Sequence, residues 1–181
     1  MRRPSAVDGT LLTPAFTFDQ NSSIGFKKGE YGVYSLRWLG VICSLGVVNF
    51  GLKVNKAGTK WKKSMAFLIH VMDVLDKHSL KGCNLVIDNA PIHKPEKTTE
   101  EANKREYRII YLPPYSPFLN PIEEFWAKVK ILVRRFPMTD RDNLVASIRE
   151  AAEKVAPEDC QGWIRHPESF FERCLNKEEL L

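Results

Sequence analysis

Hydrophobic positions repeat along the chain with two different periods, and the changes of period predict the order of strands and helices. Tyr34–Ser44 and Val47–Val54 are rich in β-branched and aromatic residues, and Leu45-Gly46 between them predicts the turn of a β-hairpin. Within Ser64–Lys77 the apolar residues recur at helical spacing, which predicts a helix with one apolar face made of Phe67, Leu68, Val71, Met72 and Leu75.

Short apolar runs alternate with longer charged or amphipathic stretches in the next part of the chain. Leu85–Asp88 is too short for a helix and predicts a buried strand, and Arg108–Leu112 predicts another short apolar strand. Pro95–Glu106 is mostly charged and predicts an exposed helix, and Pro121–Arg135 and Asp140–Val155 predict two further helices. Strands that alternate with helices after a hairpin predict an α/β fold in which helices cover a mixed sheet.

The two ends of the chain carry weaker patterns. Residues 1–30 are rich in Pro, Gly, Ser and Thr and predict an irregular segment, apart from the short alternating piece Phe16–Asp19. We predict that residues 31–181 form one domain. Its last part, residues 156–181, is expected to pack against the body through Trp163, Phe170 and Phe171.

Composition narrows the class of protein. The 181 residues are 44% hydrophobic and 27% charged, which is ordinary for one soluble globular domain. No apolar run reaches the roughly 18 residues of a membrane helix, and none follows the basic residues at the N-terminus, so we expect neither a membrane protein nor a signal peptide. The four cysteines form no C-x-x-C pair and predict reduced thiols in a cytosolic or nuclear protein.

The net charge of +5 is compatible with a polyanionic partner without requiring one. Basic residues occur in two clusters, which are either solvated faces or binding surfaces. The first cluster is Lys53, Lys56, Lys60, Lys62 and Lys63. The second follows Glu123 on the same predicted helix, which favours substrate binding by Lys128, Lys130, Arg134 and Arg135.

Two acidic residues lie where predicted elements end or begin. Asp88 closes a buried strand, and ligand sites gather beyond strand ends in such sheets. Glu123 falls at the third position of a helix with Asn120 as N-cap and Pro121 as first residue, so it is either a capping-box acid or a ligand at the edge of the apolar face. Asp88 is likewise either a turn-forming residue or a ligand. Carboxylates in such places suit Mg²⁺ or Mn²⁺, which prefer hard oxygen ligands.

Two long motifs around these acids resemble a known family. VIDNAPIH (residues 86–93) and YLPPYSPFLNPIEEFW (residues 111–126) are similar to the DDE endonuclease domain of mariner-type transposases. The similarity extends through the hairpin at Leu39–Val48 and along the helix to Arg135. It implies a ribonuclease-H-like fold and Mg²⁺- or Mn²⁺-dependent cleavage of DNA followed by strand transfer. The first strand of that fold either ends at Asp19 or is missing or degenerate in this chain.

The resemblance also assigns roles to residues. Asp88 matches the second catalytic acid and Glu123 the third. Asp19 is the candidate for the first acid, although Gln20 replaces the expected Glu; the alternative is that the first strand is missing or garbled. Asn89 and His93 are expected to shape the loop or touch substrate, and His93 as an ordinary loop histidine is the alternative.

The implied partners are transposon-end and target DNA, bound by a homodimer in a nucleus. Few residues precede Ser35, so we expect DNA to be held through phosphates with little sequence preference, without the helix-turn-helix modules of the family. Three functions stay open: an active transposase domain, a catalytically silent remnant that binds nucleic acid, and an unrelated α/β domain whose acids are helix caps.

Overall fold

The computed structural model describes residues 23–27, 33–54, 61–88, 95–135 and 141–178. Five strands and six α-helices lie in these ranges, with one 3-10 helix at Pro117–Leu119. The strands are β1 Ser23–Lys27, β2 Val33–Cys43, β3 Gly46–Val54, β4 Asn84–Ile87 and β5 Arg108–Tyr111. The helices are α1 Trp61–Lys77, α2 Pro95–Lys104, α3 Pro121–Val133, α4 Arg141–Glu153, α5 Pro157–Arg165 and α6 Glu168–Leu175.

The strands pair in two hydrogen-bonded groups within the described residues. β1, β2 and β3 form an antiparallel sheet with β2 in the centre, and a register shift interrupts the β2–β3 pairing at Val41/Ile42. β4 and β5 run parallel, as a crossover through α2 requires. The predicted α/β class is confirmed, because antiparallel and parallel pairing both occur beside helices.

The irregular segment predicted for residues 1–30 is wrong for the part that the structure describes. Ser23–Lys27 is a strand that pairs antiparallel with β2, in the register Ser23↔Arg37 to Lys27↔Val33. Ile24 and Phe26 alternate with polar or small neighbours, which is a period-two pattern over too few residues to stand out. Pairing with a long neighbouring strand supplies what the local pattern lacks.

Each face of β2 contributes to a separate apolar cluster, because successive strand side chains point to opposite faces. Ile42 packs with the buried faces of α3 and α4 and with Cys160 of α5. Val41 packs with the apolar face of α1, with β4, and with Tyr107 just before β5. Helices therefore lie on both sides of strand β2.

Helix α3 approaches β2 unusually closely at Gly40. A Cβ atom on Gly40 would lie 2.6 Å from Cζ2 and 2.8 Å from Cη2 of the fully buried Trp126. It would also lie 3.0 Å from Cδ1 of Ile122. The missing side chain of Gly40 thus lets the helix that carries Glu123 rest directly on the strand.

The C-terminal part of the chain forms two short helices, α5 and α6. Trp163 packs against the core cluster around α3, as predicted, and Phe170 contacts the ring of Phe118 at a centroid distance of 5.2 Å. The packing predicted for Phe171 is wrong, because this residue is 51% exposed. No described helix combines the length and apolarity needed to cross a membrane.

Candidate active site

Asp88 lies directly beyond the last residue of β4 and is half-buried. The preceding residue, Ile87, accepts a hydrogen bond of 2.9 Å from the backbone N–H of Leu112. Leu112 itself follows the end of β5. The parallel pairing of β4 and β5 therefore continues one residue beyond β5 and holds the start of the next loop beside Asp88.

The loop that starts at Leu112 leads directly to the helix carrying Glu123, and we call residues 112–120 the motif loop. Three prolines, at 113, 114 and 117, restrict its backbone. The Ser116 hydroxyl donates to the carbonyl of Pro114 at 3.3 Å, and the Ser116 backbone carbonyl accepts from the N–H of Leu119 at 3.1 Å. The loop is thus internally braced, and its two ends lie at the two candidate acids.

Asn120 is the N-cap residue directly before helix α3, and Pro121 occupies the first helical position, as predicted. Its side chain forms no capping hydrogen bond, so a side-chain cap from Asn120 is not what starts the helix. Asn120 is only 4% exposed, and its Oδ1 atom has no hydrogen-bond donor among the described residues. The backbone starts the helix instead: the N–H of Glu123 donates to the carbonyl of Asn120 at 3.1 Å.

Glu123 and Glu124 both lie in the first turn of α3, where the helix dipole favours acidic side chains. They differ in their surroundings. Glu124 accepts a hydrogen bond from Nδ1 of His166 at the end of α5, and the His166 ring packs edge-on against Phe170 at 5.2 Å. Together with the contact between Phe170 and Phe118, this braces the motif loop and the first turn of α3 from the C-terminal helices.

This bracing was absent from the sequence prediction, which gave residues 156–181 a general packing role only. His166 lies 42 positions from Glu124, and no local pattern connects the two. The two candidate acids, by contrast, could be predicted from local sequence, because Asp88 follows a strand and Glu123 lies in the first turn of a helix.

The four basic residues predicted to bind substrate divide into two pairs. At about 100° per residue, Lys130 and Arg134 point within roughly 20° of the direction of Glu123. Lys128 points about 140° away from it, and Arg135 lies in the turn beyond the end of α3. Lys130 is half-buried and Arg134 exposed, at about 10 Å and 16 Å along the helix axis from Glu123. One basic stripe therefore continues from the candidate acid.

Lys128 has structural partners on helix α5. Its ammonium group forms an ion pair with Asp159 and lies 6.0 Å from the centre of the Trp163 ring. The hydrogen bond from Lys128 lowers the pKa of the Asp159 carboxyl below its usual value, and the bond from the Ala156 backbone N–H acts in the same direction. A DNA contact by Lys128 stays a prediction, and it would compete with this ion pair.

The remaining predicted site residues, Asp19, Asn89 and His93, lie outside the described residues. Within the described ranges, no group of three or more His, Cys, Asp or Glu side chains is arranged to hold a metal ion. Asp88 and Glu123 nevertheless suit Mg²⁺ or Mn²⁺ chemically, because both offer hard carboxylate oxygens and such ions commonly take few protein ligands beside water and phosphate.

Comparison with known families decides the class of this domain. The family described as DDE superfamily endonuclease matches residues 36–145, which include Asp88, Glu123 and the motif loop between them. The chain belongs to the DDE superfamily endonucleases. As in the pattern predicted from the two motifs, the match runs from the hairpin through α3.

Individual relatives of this DDE endonuclease domain are distant. An uncharacterized 39 kDa protein of insertion element IS630 from Shigella sonnei is 29% identical over 99 residues, which are 52% of this chain and 29% of that protein. The chain thus spans less than a third of the length of this curated relative.

Solved structures share the fold. The catalytic domain of Mos1 mariner transposase superposes with a TM-score of 0.76 at 14% identity, over 96% of this chain and 87% of that one. The Mos1 chain in its strand transfer complex gives a TM-score of 0.69 at 15% identity, over 100% of this chain and 51% of that one. The ribonuclease-H-like fold expected from the motifs is therefore confirmed for this DDE domain.

Proposed function

We propose that this chain is the catalytic domain of a mariner-type DDE transposase, which cleaves DNA strands and transfers them to target DNA with a divalent metal ion. The observation that carries the proposal is the motif loop. It is hydrogen-bonded beside Asp88 at one end and leads into the first turn of α3 with Glu123 at the other. We propose that the motif loop brings these two acids, which are distant in sequence, to one catalytic place.

Asp88 and Glu123 would hold Mg²⁺ or Mn²⁺, with Asp19 as the proposed third ligand. Structures of the Mos1 catalytic domain with raltegravir are described with Mn and with Mg, which supports this choice of metals. When bound, two such ions stabilise both the attacking and the leaving oxygen of an in-line displacement at phosphorus.

The protein's own part is to position the DNA strand. Lys130 and Arg134 lie on the side of α3 that carries Glu123, so they would bind phosphates on either side of the reacting one. The braced motif loop and the contacts of α5 and α6 with the first turn of α3 would keep Glu123 in place. Positioning of this kind matters because a misplacement of about 1 Å can reduce a rate on the order of a hundred-fold.

The proposed partners are transposon-end DNA and target DNA, bound by a homodimer. Mos1 structures described as a strand transfer complex and as a paired-end complex support this assembly by analogy. This chain covers about half of the Mos1 chain in them, so the assembly of the whole protein is part of the proposal. We propose a nuclear location if the source is a eukaryote, because DNA is the proposed substrate.

A nicking assay on supercoiled plasmid DNA tests the proposal. With Mg²⁺ or Mn²⁺, wild-type protein should convert supercoiled to open circular DNA, and Asp88→Asn and Glu123→Gln should each abolish the conversion. Glu124→Gln is the matched control, because glutamine keeps an oxygen that accepts from His166. Nicking that persists in the Asp88→Asn variant and in the Glu123→Gln variant would refute the proposed site.

The same assay separates the active domain from the silent remnant. If Asp19 is the first acid, wild-type protein should nick the plasmid and the Asp19→Asn variant should not. If no metal supports nicking while the protein still binds DNA with a steep dependence on salt, the chain is a remnant that has kept nucleic-acid binding.

A further inference from the structure

We propose that the side chain of Tyr115 is a stacking surface for an unpaired base of the DNA strand that lies in the active site. The inference rests on the proposed function, because it places DNA at Asp88 and Glu123. It adds a direct contact with a base to a site otherwise built from carboxylates and phosphate-binding residues.

Tyr115 is the most exposed large hydrophobic residue that the structure describes. It is 100% exposed, whereas the next, Leu175 and Leu45, are 82% and 71% exposed and lie at the C-terminal end of α6 and in the hairpin turn. An aromatic ring left entirely in water contributes nothing to the apolar core, so packing does not explain a tyrosine at this position.

The backbone of Tyr115 argues against a structural role as well. Its φ of 58° lies in the left-handed region, which is uncommon for residues other than glycine and unfavourable for a bulky one. Glycine or asparagine would adopt this conformation with less strain. The prolines of the motif loop and the bonds of Ser116 hold the loop in this form, so the ring is presented outward at the expense of local stability.

The position of Tyr115 points to DNA as the occupant. It lies in the middle of the motif loop, whose ends are beside Asp88 and at the start of the helix of Glu123. Lys130 and Arg134 continue from Glu123 along that helix. Proteins that bind single-stranded nucleic acid combine basic residues along the sugar-phosphate backbone with aromatic rings on which the bases stack.

The base should be unpaired, because both faces of a base inside a duplex are covered by its neighbours. A fully exposed ring on a protein surface can reach a base face only at a frayed end, at a strand terminus or at a flipped nucleotide. Tyr115 would therefore favour DNA that has opened next to the cleaved bond over closed duplex DNA.

The test compares binding of the full chain to a single-stranded oligonucleotide and to a blunt duplex of the same sequence, with 2-aminopurine as the stacking reporter. Tyr115→Asn keeps the left-handed backbone and removes the ring. It should bind the single strand about ten-fold more weakly, reduce the quenching of 2-aminopurine and leave duplex affinity unchanged. Tyr115→Phe should behave like wild type, and Phe171→Ala, which removes another exposed ring, should change neither affinity.

The melting temperature of Tyr115→Asn should equal or exceed that of wild type, which excludes misfolding as the cause of weaker binding. Equal single-strand binding by Tyr115→Asn and wild type, or an equal loss on single strand and duplex, would overturn the inference. Failure of the proposed function would look different: wild type would then show no metal-dependent nicking, whatever the behaviour of the Tyr115 variants.

Discussion

Substituting alanine for Gly40 should separate helix α3 from the strand on which it rests. The added Cβ would lie 2.6 Å and 2.8 Å from two ring carbons of Trp126 and 3.0 Å from Ile122. Both neighbours are fully buried, and the Trp126 ring already packs against Phe125 at a centroid distance of 4.6 Å. Because the ring has little room to rotate, the helix or the strand must move.

The expected loss of stability follows from this overlap. Inserting a methyl group into a packed core typically destabilises a protein by about 1–3 kcal/mol. Contact with fully buried side chains, one of them a rigid indole ring, places Gly40→Ala toward the upper part of this range. For a protein of this size, about 2–3 kcal/mol corresponds to a decrease in melting temperature of roughly 4–12 °C.

The assay is urea unfolding followed by tryptophan fluorescence, combined with the nicking assay. Gly51→Ala is the matched control in the adjacent strand, since its Cβ would meet only Cε2 of Phe67, at an ordinary 3.8 Å. We expect Gly40→Ala to unfold at clearly lower urea and to lose nicking activity, because Glu123 moves with α3. Equal urea midpoints for the two variants would refute the reasoning that Gly40 permits the close approach.

Three further predictions concern other parts of the molecule. Gly162→Ala should stabilise the protein by about 0.5–1 kcal/mol in thermal unfolding, because no atom lies within 4 Å of the new Cβ on helix α5. Asp159→Asn should destabilise by about 1 kcal/mol at pH 7. Because folding lowers the pKa of Asp159, its ionised carboxylate stabilises the folded protein at pH values above about 3.9, the pKa of an unfolded Asp. This stabilisation is lost as the pH falls through the folded-state pKa. The difference in urea stability between wild type and Asp159→Asn should therefore be smaller near pH 3. Lys130→Gln combined with Arg134→Gln should reduce the slope of log Kd for duplex DNA against log salt by about 2, whereas unchanged slope would exclude phosphate contacts.

Much of the fold could be predicted because the hydrophobic pattern is local. The residues within a few positions of each element predict the hairpin, the two short apolar strands before Asp88 and Leu112, and the helix at Glu123. The strand Ser23–Lys27 was missed since its stability comes from pairing with β2 rather than from its own short pattern. Long-range pairing of this kind leaves a weak trace in the residues that take part.

In the candidate site too, some residues were predicted from local sequence and others required the tertiary structure. The residue types and their neighbours identified Asp88 and Glu123, and the motif around each one indicated metal-dependent chemistry. Only the tertiary structure showed that Lys128, on the other side of the helix, is paired with Asp159 of α5. The support of the first turn of α3 by His166 and Phe170 likewise required the tertiary contacts.

By itself the sequence determined the class of fold, the order of the elements from the hairpin to α4 and the choice of two candidate acids, because strand ends, helix starts and motifs depend on neighbouring residues. Only the tertiary structure decided what surrounds those acids. The close approach at Gly40 and the hydrogen bond that ties the motif loop to β4 depend on packing between segments distant in sequence, and the full exposure of Tyr115 is seen only in the folded loop. Such contacts are decided by shape and burial across the whole core, which no local pattern contains.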